Sequence, residues 1–179
     1  LGELPAAVAH GQRAVALLEV LTREEPDAAT HRVNLLSATN ALRYALVDAG
    51  RSAEALEASR RGATLLEAMV ADDPRNAFLR RSLAVTLNAL ARDRIAAGDA
   101  AAARISADRS LALSAQLLAA EPGNLEHRRD VAFAVRVLAE AHAAAGERAA
   151  SLTAWRDAVA RHEALLAAGA GDRARDDLA

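Results

Sequence analysis

The residues of this 179-residue chain best suited to metal ligation or proton transfer are five histidines, among them His31 and His127. The chain has no cysteine, which removes thiol nucleophiles, thiolate metal sites and disulfides. Its serines lack a histidine and an acid at the spacing of a nucleophile elbow. Gly169 and Gly171 neither follow a strand nor precede a lysine, so they form no phosphate-cradling loop. Carboxylate pairs such as Asp72 with Asp73 fall at turns, where they complement a helix dipole. The chemistry that remains is recognition. Arginine offers forked donors, asparagine both donates and accepts, and tyrosine adds a rigid surface. Asn40, Tyr44, Arg81, Asn88, Arg92, Arg129 and Arg136 supply these groups at related positions along the chain.

That relation is a repeat. Gly2, Gly50, Gly98 and Gly146 are each 48 residues apart, as are Pro26, Pro74 and Pro122, each preceded by an acidic residue. Small residues keep the same phase at Ala7, Ala55, Ala103 and Ser151 and at Ala14, Gly62, Ser110 and Ala158, and leucines at Leu42, Leu90 and Leu138. Two independent punctuation marks with one period indicate stacked units rather than a single core. His31 and His127 share a phase but stand two units apart, too far for a common metal ion.

Between the breakers run stretches of good helix formers with apolar residues three and four apart. The spacing predicts helices at about 3–23, 28–48, 52–71, 76–96, 100–119, 124–144 and 148–167. Asn76 and Asn124, and Asp172 in a degenerate last unit, are suitable N-caps, the glycines end the helices they follow, and Gly169 to Gly171 reads as the last stop. On the fourth helix Leu83, Leu87, Leu90 and Arg94 share one face while Arg81, Asn88 and Arg92 lie opposite; Val131, Val135 and Leu138 face away from Arg129, Arg136 and Glu140 on the sixth. The polar residues thus form a ladder on one side of the array. Its alternative reading is a solvated face whose arginines pair with Glu19, Glu67 or Asp130.

Composition agrees with an all-α chain. Fifty alanines and 26 leucines stand against two isoleucines and four aromatics, a poor stock for strands. All 22 basic residues are arginine, balanced by 24 acidic ones, and a net charge of −2 lacks the excess that phosphate neutralisation uses, so nucleic acid is not expected. No apolar run approaches a membrane span and no signal pattern opens the chain. The expectation is a soluble, cytoplasmic protein without cofactor or metal.

A glycine between two helices, a leucine eight before it, and small residues five and twelve after it resemble the tetratricopeptide repeat family. The matching residues are Leu90, Ala91, Gly98, Ala103 and Ser110 in one interval, and Leu138, Ala139, Gly146, Ser151, Trp155 and Ala158 in the next. The family's usual period is about 34 residues; the extra fourteen lengthen each helix by about two turns. The resemblance implies a right-handed α-solenoid of antiparallel helix pairs, with units of about 2–49, 50–97, 98–145 and 146–179, and with Trp155 packed between units. It further implies that the polar ladder lines the concave groove as a site for a protein or peptide ligand. The longer period is similar to arrays in bacterial multidomain signalling proteins, including those following serine/threonine kinase domains. The expected function is therefore a non-enzymatic interaction scaffold, any catalytic domain lying outside these residues. The alternative is a structural or oligomerisation segment that self-associates through its first helix, which begins without a preceding partner, as in a piece cut from a larger protein.

Overall fold

Breakers that alternate roughly every half period divide the chain into antiparallel helices. The computed structural model describes residues 3–26 and 28–176, and these are all-α. The helices are α1 (Glu3–Glu24), α2 (Ala29–Asp48), α3 (Ser52–Asp72), α4 (Ala77–Ala96), α5 (Ala100–Ala120), α6 (Leu125–Ala144) and α7 (Arg148–Asp176). The even helices start at 29, 77 and 125 and the last three odd ones at 52, 100 and 148, so the 48-residue period of the sequence is also the period of the backbone. Gly2 lies outside the described residues.

The glycine turns are built alike. Gly50, Gly98 and Gly146 have φ of 70°, 79° and 76°, and the next residue's N–H reaches back over the helix end, as Asp99 does to the Arg94 carbonyl at 2.9 Å. This closing bond needs a left-handed residue, which glycine adopts without penalty. A Cβ at Gly98 would meet nothing within 4 Å, so the cost of Gly98→Ala is purely conformational, about 1–2 kcal/mol. Gly123 is equally uncrowded but has no positive φ; Gly123→Ala should be neutral or stabilising by up to about 1 kcal/mol. The melting temperature should therefore fall for Gly98→Ala and hold or rise for Gly123→Ala, and equal shifts would contradict this account.

The proline turns are capped by asparagine. Asn76 accepts from Leu79 N–H, and Asn124 from Glu126 and His127 N–H, while their amide groups donate to Asp73 and Glu121. Ala28 occupies the same phase and makes no side-chain cap. Asp172 does not begin a new helix: α7 continues through Gly169 and Gly171 to Asp176. About 1 kcal/mol per glycine relative to alanine does not stop a helix that also runs through Ala167, Ala168, Ala170 and Ala174.

Each helix packs on its chain neighbours. Leu56, Ala63 and Leu66 of α3 meet Leu83, Leu87 and Leu90 of α4; Val8 and Val15 of α1 meet Leu42 and Leu46 of α2; Ala103 and Ala107 of α5 meet Val137 and Ala141 of α6. The small columns are buried at Ala55, Gly62, Ala103, Ser110, Ser151 and Ala158, where backbones approach closely. Arg94, on the packing face, donates to the Ala102 carbonyl and to Ser106; burial lowers its pKa, and the nearby Arg60 adds to the effect. Ala7 and several leucines of α1 are exposed, because among the described residues no helix precedes α1.

The even helices are not evenly spaced. α4 and α6 touch directly, whereas no Cα of α2 comes within 8 Å of one of α4. The sequence explains the difference. Fully buried Ala91 and Ala139 occupy one phase on α4 and α6, and α2 carries Arg43 there. An arginine between two helices is a wedge.

Candidate functional site

Arg43 is held in its wedge by a bidentate pair. Its Nε and Nη2 donate to the Asp93 carboxylate of α4 at 2.7 and 2.8 Å, and Nε also reaches Ser59 Oγ of α3 at 2.9 Å. Ser59 in turn donates to Asp93. Both charged side chains are nearly buried, which makes the pair a strong geometric constraint on three helices. Sequence reasoning missed this triad, although a signal existed: Arg43 and Asp93 each break a column that otherwise holds alanine, at Ala91 and Ala139 and at Ala45 and Ala141, and Ser59 puts a hydroxyl where Gly11 and Ala107 have none.

The gap kept open by Arg43 contains two clefts on the even-helix side. One, of about 450 Å³, is walled by Val33 and Asn40 of α2 and by Phe78, Arg81 and Val85 of α4, over a floor that includes Met69 and Thr86. The other, of about 390 Å³, takes Tyr44 and Val47 from α2, Arg92 from α4 and Glu140 from α6. Phe78 is 72% exposed and Tyr44 63%, with Val33, Val47 and Val85 exposed beside them. The Arg43 guanidinium lies 5.3 Å from the centre of the Tyr44 ring and steadies it.

The ladder residues divide accordingly. Asn40 and Arg81 line the first cleft, Tyr44 and Arg92 the second. Asn88 was expected on the wet face but is 5% exposed, with Oδ1 unpartnered; the direct contact of α6 with α4 covers that side of the helix. Arg129 is exposed on α6. Arg136 donates to Glu140 at 2.8 Å and stacks over Phe133, its guanidinium 4.5 Å from the ring centre. Glu140 also approaches Arg92, at 3.5 Å. Arg81 bonds Asp130 and lies 2.9 Å from Glu126; its pKa is raised, chiefly by the Asp130 hydrogen bond, with burial opposing. Two of the ladder's four arginines, Arg81 and Arg92, are therefore matched across the α4–α6 contact, and Arg136 is matched within α6. Glu19 and Glu67 are paired too, but with Arg61 and Arg109, one repeated bridge between successive odd helices.

The histidines in phase serve turns. His31 approaches Glu25 at 3.1 Å and His127 approaches Glu121 at 3.7 Å, each carboxylate being the one before the proline. Among the described residues no three His, Asp or Glu side chains stand close enough to hold a metal ion. The buried hydroxyls of Ser110 and Ser151 are committed to backbone carbonyls, of Ala84 and Ala139. No described helix is long and apolar enough to cross a membrane. What the site offers is shape, apolar surface and hydrogen bonding.

No family model matches this chain, and no curated protein does. Among solved structures, the crystal structure of BtubC from P. vanneervenii aligns over 90% of this chain and 92% of that chain, with 12% identity and a TM-score of 0.32.

Proposed function

We propose that this chain is a right-handed α-solenoid of tetratricopeptide type that binds a peptide or protein segment on its concave, even-helix face and has no catalytic activity of its own. A role as the interaction region of a bacterial signalling protein belongs to the same proposal. The observation that carries the reading is the wedge-opened gap between α2 and α4, where Phe78, Val33, Val85 and Tyr44 are exposed around two clefts. Large apolar side chains in a concave setting are disfavoured in water and suit anchors of a partner. Asn40 supplies a donor and an acceptor for a peptide backbone. Carboxylates of a ligand compete for Arg81 and Arg92 with Asp130 and Glu140, so apolar side chains dominate the affinity and charge tunes it.

Screening a library of mixed apolar and acidic peptides tests the proposal. Phe78→Asp with Val85→Asp should weaken selected peptides about tenfold or more, since each tenfold step is only about 1.4 kcal/mol. Helicity should be unchanged, because both side chains are exposed. Arg61→Glu, on the odd-helix side, should leave binding as it was. Equal binding by parent and double variant, or ligands that map to α3 and α5, would refute the groove.

A further inference from the structure

The first three odd helices each carry a stripe that receives the following even helix. On α3 it runs through Leu56, Ser59, Ala63 and Leu66, all buried under α4. On α1 it includes Val8 and Val15 under α2, and on α5 Ala107 and Ser114. One or more periods on, the same register of α7 reads Leu152, Trp155, Val159, His162 and Leu166. Among the described residues nothing covers it: Leu152, Val159 and Leu166 are 58%, 53% and 71% exposed, and Trp155 37%. Among the described residues Trp155 therefore is not enclosed between units, the place the family resemblance implied for it. The stripe is also bulkier than its counterparts, with tryptophan where the earlier units have Gly11, Ser59 and Ala107.

Its residues follow a three-four-three-four spacing, the seam of a helix that pairs with another helix. On one flank Ala158 packs on Val131 and Val135 of α6, and Ser151 donates to the Ala139 carbonyl. On the other flank stand exposed Arg156 and Glu163. These two charges lie on either side of Val159, three and four residues away. A twofold axis near Val159 and perpendicular to the helix thus brings Arg156 opposite the partner's Glu163, and Glu163 opposite the partner's Arg156.

We infer that a second copy of this chain covers the α7 stripe, in an antiparallel α7–α7 pair with that twofold axis. Apolar burial supplies the attraction and the two reciprocal charge pairs fix register and direction. The arrangement leaves the α2–α4 clefts free, so its failure and that of the groove are separate results.

Trp155 is the chain's only tryptophan and reports the contact directly. Sedimentation equilibrium of the 179-residue chain should give a monomer–dimer equilibrium, with tryptophan emission shifting to the blue as dimer forms. Glu163→Arg places arginine opposite arginine and should raise the dimer dissociation constant about tenfold or more. Adding Arg156→Glu restores opposite charges and should return the constant close to that of the parent. Val159→Asp, at an exposed site, should leave a folded monomer. A parent that stays monomeric at high concentration would overturn the inference. So would a dimer indifferent to Glu163→Arg, or one weakened by it and not rescued by the charge swap.

Discussion

Arg43→Ala should destabilise the chain by about 3–5 kcal/mol, because it strands a buried carboxylate. Asp93 would keep only Ser59 Oγ as a hydrogen-bond partner in a site with almost no solvent access. Asp93→Ala should cost a comparable amount, since it leaves the nearly buried Arg43 guanidinium without its carboxylate. The double variant should recover much of the loss. Alanine already occupies the matching positions in other units, at Ala91 and Ala139 for Arg43 and at Ala45 and Ala141 for Asp93. Urea unfolding of the four proteins forms a complete cycle. Losses that simply add, or an Arg43→Ala protein as stable as the parent, would show that the pair does not organise the α2–α3–α4 junction. The double variant also bears on the clefts: without its wedge, α2 is free to approach α4 as α6 does.

Leu66→Ala is expected to cost about 2–5 kcal/mol. Leu66 is fully buried between α3 and α4, in the cluster with Leu83, Leu87 and Leu90. The range reflects how far those leucines can close over the vacated volume. In an array stabilised by nearest neighbours the damage should also be local. Hydrogen exchange should show protection falling over α3 and α4 and largely kept over α6 and α7. A uniform drop along the chain would mean that the helices unfold as one cooperative block.

The period, the seven helices and the three glycine turns could be read in the sequence because each is a local decision: a left-handed residue, a cap, a run of helix formers. Asn88 could not be placed that way. Its burial depends on α6 approaching α4, a distance set by the alanines at 91 and 139 and not by anything within α4. The same limit hid Phe78, exposed in the first turn of α4, until the gap beside it was known to be open. Pairing of the ladder's arginines with Asp130 was legible as an alternative, and Arg81 makes that bond, 49 residues away. Gly169 and Gly171 misled for the opposite reason: a local breaker was given more weight than the alanines around it. The Arg43, Ser59 and Asp93 triad was legible in principle, as three polar residues out of step with their own columns.

The exclusive packing of each helix on its near neighbours also sets how the chain reaches this structure. Among the described side-chain hydrogen bonds the longest reach is 50 residues, from Arg43 to Asp93. No contact therefore requires the chain to close a loop much longer than one period, and the entropy of loop closure grows only slowly with length. Low contact order of this kind goes with rapid folding. Any adjacent pair can serve as nucleus, with α3 and α4 favoured by their leucines, and growth can proceed toward either end. Synthesis on the ribosome suits such a molecule, since each unit waits only for the next one downstream, as Arg43 does for Asp93 and Arg81 for Asp130.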